Sequence, residues 1–451
     1  MLTDIYGSDV ALTDQTALAH WNGVQQGVLS HGASAADHLA ATLEAEPGFG
    51  LGHALKGLFL MMLGRRELVA VAADSLATAR ACGTSTPREA AYVEALAAWL
   101  ADQPEKAATI AESILVSHPH DALAMKLSHG IRFILGHRRA MLDTLDVLRP
   151  AYDPSHPAFG YYMGCRAFAL EENGAYDCAR AAGMTALDHA SDDAWGLHAV
   201  AHVHDMTGNA TAGLEWLSGN ESAWAHCNNF RFHVWWHKAL MYLDLGQTDA
   251  ALALYDTHVR AEKSDDYRDI ANATSLLMRL ELDGVHVGKR WEELADLAEK
   301  RTEDGCLIFA DLHYLLALVG DNRPAAAHTL VQRIARDGAA TPTDMNARFE
   351  NPGTAAAQGL EAFGEGNFEA AFARLNAARP AMQLAGGSHA QRDVFERITI
   401  DAGIRAGQFD HAATLLAKRT ASRGGHEDGF AARRLEMIYS TTRRAAAISA
   451  E

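Results

Sequence analysis

The chain has 451 residues, 49% of them hydrophobic, and a formal net charge of −18. That length exceeds what one hydrophobic core normally fills, so it reads as several domains or a repeat array. The acidic balance argues against nucleic acid and anionic membrane surfaces as partners, since both select Lys and Arg.

Abundant Ala and only 11 Pro favour helix over sheet. No basic region followed by an apolar run opens the sequence at Met1, and the most apolar stretch, Leu55 to Leu63, is too short to span a bilayer and contains Lys56. The five cysteines (Cys82, Cys165, Cys178, Cys227, Cys306) are odd in number and form no CxxC pair. Together these features point to a cytoplasmic protein with free thiols.

Taken along the chain, apolar-periodic runs end at a glycine again and again: Gly64, Gly136, Gly174, Gly208, Gly246, Gly284, Gly320, Gly366 and Gly407. The closest neighbours among them lie about 34 to 40 residues apart, a repeat-protein period; Gln103 stands at the turn missing between Gly64 and Gly136. Each glycine is placed to cap a helix in the left-handed conformation. "GAYDCA", "GQTDAA", "GNFEAA" and "GQFDHA" then lead into second helices, and small residues (Gly57, Ala167, Ala201, Ala239, Gly359) precede the turns by seven positions.

This pattern resembles the tetratricopeptide repeat, which implies an all-α, right-handed α-solenoid of helical hairpins. About eleven hairpins and a terminal helix are expected. Residues 1–336 form the main block, 337–353 a looser connection with Pro342 and Pro352, and 354–451 the C-terminal repeats and capping helix. In that family's geometry so many hairpins exceed one superhelical turn, which allows the concave groove to close into a channel. "GHALKGLFLMMLG" from Gly52, "DAWGLHAVAHVHDM" from Asp193, "YDTHV" from Tyr255 and "GGSHAQRDVF" from Gly386 resemble segments of the tetratricopeptide repeat protein 38 family, over nearly the whole chain. The resemblance implies the fold and little about chemistry.

Histidine placement carries the strongest chemical signal. Of 23 His, six fall between His198 and His237. His198/His202 and His233/His237 are both i,i+4 pairs, each on one helix face, and the second repeats the first 35 residues later. Their offsets from Gly208 and Gly246, read through the repeat resemblance, imply that both pairs and Asp205 face the concave groove, flanked by Trp195, Trp235 and Trp236. Three readings stand: groove residues hydrogen-bonded to one another, donors to a small polar or acidic ligand, or a metal or general acid–base site. Imidazole suits Zn, Ni, Cu or Fe, so a divalent transition metal is the cofactor to consider, held by His198, His202, His233 and His237. His198, His202, His237 and Asp205 are the candidates for catalysis.

His129 and His313 stand seven residues before a turn glycine, where small residues stand elsewhere; they either bond across helices or join the site. His53, Trp195, His204, His233, Trp236, Asp256, His258 and Arg392 complete the candidate ligand-binding set. Arg392 can pair bidentately with a carboxylate, and Asp393 beside it suits a helix cap. "GFGLG" at Gly48 follows no strand, GxxxxGK[ST], GxSxG and HExxH are absent, and the adjacency of His226 and Cys227 does not define a catalytic pair. Two functions stay open: a metal-assisted or His-catalysed hydrolase or lyase acting on a small polar molecule, and a non-enzymatic binding module or scaffold for a small molecule, an acidic peptide or a protein partner.

Overall fold

The computed structural model describes residues 1–449, the side chains of 442 and 444–449 apart. After a short antiparallel pairing of Leu2–Thr3 with Asp9–Val10, helix follows helix to Ser449. Eleven antiparallel hairpins run from Gln15–Ser30 with Ala35–Ala45 to His389–Arg405 with Phe409–Ser422, and Gly429–Ser449 follows them. The fold is an α-solenoid of tetratricopeptide-like hairpins. No described helix is long and apolar enough to cross a membrane.

The turns follow the expected ruler with two slips. Gly64, Gly136, Gly174, Gly208, Gly246, Gly284, Gly366 and Gly407 all have positive φ. At the turn assigned to Gln103, Asp102 is left-handed instead, with φ 59°. The turn assigned to Gly320 belongs to Asn322, with φ 55°. Asp and Asn tolerate this conformation better than other non-glycine residues, so they can replace the turn glycine. Gly320 itself ends the Ile308–Gly320 helix, where a Cβ would lie 2.4 Å from the Trp291 ring. Small size is needed there for packing.

The solenoid closes on itself. Side chains about two hundred residues apart meet along the whole length: Arg301 bonds Glu67, Arg348 bonds Glu105, Gln383 donates to the Gly136 carbonyl, and Arg423 bonds Asp205. Residues 337–353 include the short helix Asp344–Arg348 and the buried Phe349. One continuous core runs from Tyr6 to Ile398. The second superhelical turn thereby covers the inner faces of the middle repeats.

Candidate metal centre

Two first helices of neighbouring hairpins, Ala194–Met206 and Phe230–Asp244, carry the paired histidines. Asp193 starts the former by accepting from the Gly196 N–H. At i,i+4 spacing the rings stack one turn apart and face the matching pair on the next helix.

All four Nε2 atoms converge. His198 Nε2 lies 2.9 Å from His202 Nε2, 3.0 Å from His233 Nε2 and 3.1 Å from His237 Nε2, and His233 and His237 are 3.2 Å apart. One ligand atom from each residue falls within 4.8 Å of every other. For metal–nitrogen bonds of about 2.0–2.1 Å, adjacent donors are about 2.9 Å apart in a square and about 3.4 Å in a tetrahedron. The observed separations lie in that interval.

Outer contacts set the tautomers. Asn272 Oδ1 sits 2.8 Å from His233 Nδ1 and can only accept, so Nδ1 carries the proton and Nε2 a lone pair. Glu171 Oε2 stands 3.3 Å from His202 Nδ1 and favours the same tautomer. Burial, with the neighbouring imidazoles, keeps His198 and His237 well below the ordinary histidine range; burial also brings His233 to about 3. These three rings are therefore neutral, with nitrogens available to a ligand.

The groove-facing expectation needs correction in one respect. His198, His202 and His237 are only 1%, 0% and 0% exposed, and His233 alone keeps partial exposure. Closure of the solenoid, which the family's superhelical geometry allows, has buried this inner face. His389, at the start of the His389–Arg405 helix, comes within 5.7 Å of the His202 ring, centroid to centroid.

His389 belongs to a second cluster that sequence reasoning missed. Its Nε2 lies 2.6 Å from Glu171 Oε1 and its Nδ1 3.3 Å from Glu172 Oε1. Burial opposes charge on this ring, yet the two carboxylates outweigh it and raise the pKa, while Glu171 stays ionised. Arg392 joins this second group, with Nη2 3.5 Å from Glu172 Oε2 and Nη1 donating to the Gly387 carbonyl.

The remaining candidates are distributed around these clusters or away from them. Trp195 donates to His129 Nε2 at 3.2 Å and packs 5.1 Å from the His198 ring. Trp236 stacks on His233 at 5.1 Å and donates to Ser275 Oγ. His31, also missed, stacks between Trp195 and Phe230. His313 lies apart, its Nδ1 donating to the Phe309 carbonyl at 2.7 Å; burial brings it to about 4. Asp205 turns to Arg423, His204 lies half-buried, and His53 bonds the Pro47 carbonyl. Asp256 pairs with Arg290, and His258 packs on Trp235. Burial pushes the Cys227 thiol up to about 12, which removes it as a nucleophile at neutral pH.

No family model matches the chain. Among solved structures it is similar to the human IFIT1 dimer with PPP-AAAA, at 14% identity over 98% of both chains with a TM-score of 0.41. It is also similar to yeast Tom70, at 13% identity over 95% of this chain and 88% of that one, with a TM-score of 0.37.

Proposed function

We propose that this α-solenoid is a metal-binding protein in which His198, His202, His233 and His237 hold one divalent transition ion through their Nε2 atoms. The observation that carries the reading is the position of His198 Nε2. A ring nitrogen has either one N–H or one lone pair, yet this one faces three other Nε2 atoms at 2.9 to 3.1 Å. Mutual hydrogen bonds cannot satisfy such a set, whereas a shared cation can. An all-imidazole donor set suits Zn, Ni, Cu or Fe rather than Mg or Ca.

A bound ion of this kind supplies a Lewis acid or an activated water, the chemistry of a hydrolase or lyase acting on a small polar molecule. Asn272 and Glu171 orient His233 and His202. Glu171 and His389 can exchange a proton between Oε1 and Nε2, beside the cluster. A peptide scaffold would need an open concave groove, and here the second superhelical turn covers the middle repeats. The segments quoted above resemble the tetratricopeptide repeat protein 38 family, and the free cysteines suit a reducing cytoplasm.

Elemental analysis tests the reading. The full chain, purified without chelator or reloaded in turn with Zn, Ni, Cu and Fe, is expected to retain one ion per molecule. His198→Asn should lose it while circular dichroism stays helical. A folded wild-type protein that retains none of these metals would make the reading wrong.

A further inference from the structure

A cavity of about 250 Å³ lies against the second cluster, between the ends of the helices Ala194–Met206, Phe368–Ala378, His389–Arg405 and Phe409–Ser422. It holds about eight water volumes at about 30 Å³ each, and it is smaller than the roughly 300–1,000 Å³ typical of drug-sized ligand sites. The space suits a small metabolite. His389 forms part of its wall.

We propose that this cavity binds a small anion, the carboxylate or phosphate group of a metabolite-sized ligand. Its two lining carboxylates are already engaged. Asp393 takes Arg397 at 2.7 Å and Arg419 at 2.6 and 3.0 Å; Glu396 takes Arg379 at 2.7 and 2.8 Å. Three lining cations retain donor capacity. Arg419 is 4% exposed, and its Nη1 is buried without a partner. Arg392 reaches its carboxylate, Glu172, only at 3.5 Å, long for a charge-assisted hydrogen bond. Lys418 is exposed on the rim and makes no ion pair among the described residues. A buried guanidinium N–H without an acceptor is costly, and an anion in the cavity would supply one.

This proposal goes beyond the metal reading and does not depend on it, because none of the four converging histidines lines the cavity. The two sites are nevertheless joined. An anion held beside Arg392 and Arg419 lies next to His389, which connects through Glu171 to His202.

Calorimetric titration of the full chain with inorganic phosphate, and separately with acetate, tests the proposal. Saturable binding of at least one anion is expected; tighter phosphate binding assigns a phosphate-bearing ligand, and tighter acetate binding a carboxylate. Lys418→Glu should weaken that binding about tenfold or more, the scale of a lost charge-assisted contact, and Lys418→Arg should restore it. Lys300→Glu makes the same change in net charge at an exposed position away from the cavity and should leave binding intact. Metal content measured on the same samples should be unchanged by all three substitutions, so failure of the metal reading is scored separately. Absence of saturable binding for both anions, or equal effects of Lys418→Glu and Lys300→Glu, would overturn the proposal.

Discussion

A carboxylate with no solvent exposure is costly unless it is paired, and Glu171 meets that cost with two imidazoles, His389 at 2.6 Å and His202 at 3.3 Å. It therefore orients a candidate ligand on one side and holds a protonated ring on the other. Glu171→Gln keeps the shape and removes the charge. Because outer partners of metal-ligating histidines tune affinity, the substitution should weaken metal binding about 10–100-fold in competition with a chelator. Unchanged affinity would show that Glu171 plays no part in orienting His202. The paired histidines were legible in the sequence because both pairs follow helical spacing and share the repeat period. Glu171 and His389 were not, because they meet across 218 positions through superhelical closure. The segment containing His389 stood out for its resemblance, but local spacing gave its histidine no partner.

The turn is the element that sets the register of each hairpin, and its residues differ in what they must accommodate. Gly246 has φ 73° and open space where a Cβ would project, whereas Gly136 has φ 72° and a Cβ there would lie 1.8 Å from the Gln383 carbonyl oxygen. Gly246→Ala is expected to cost about 1 kcal/mol through its backbone conformation alone. Gly136→Ala should cost distinctly more, because it also forces the two superhelical turns apart. Urea denaturation midpoints check this, and equal losses would contradict the packing described at Gly136. Reading turns by glycine alone explains the misplaced register of His313. Measured from Asn322, the true turn residue, it lies nine positions upstream, as His237 does from Gly246. Its ring is inward and buried like that of His237, but it packs against Phe309 and Phe395, away from the four-histidine cluster.

At the scale of the whole molecule, hairpin count and helical class follow from the repeated pattern of apolar run, turn and small residue. Closure does not follow from that pattern by itself, only from the superhelical geometry that the repeat resemblance implies, because it depends on how small rotations between hairpins accumulate over the chain. Ion pairs seal the seam: Arg301 with Glu67, Arg423 with Asp205, and Arg434 with Asp283. The same closure changes an expected groove wall of histidines into an interior cluster. Burial makes bare convergence of four imidazoles unfavourable and a shared cation favourable. X-ray absorption at the metal edge of the reloaded full chain tests that centre most directly. The expected spectrum has a first shell of nitrogen or oxygen scatterers at about 2.0–2.1 Å for zinc, with the outer-shell pattern of four imidazoles that is lost in His198→Asn. A sulfur-containing shell, or fewer than four imidazoles around a stoichiometric ion, would contradict the four-histidine centre.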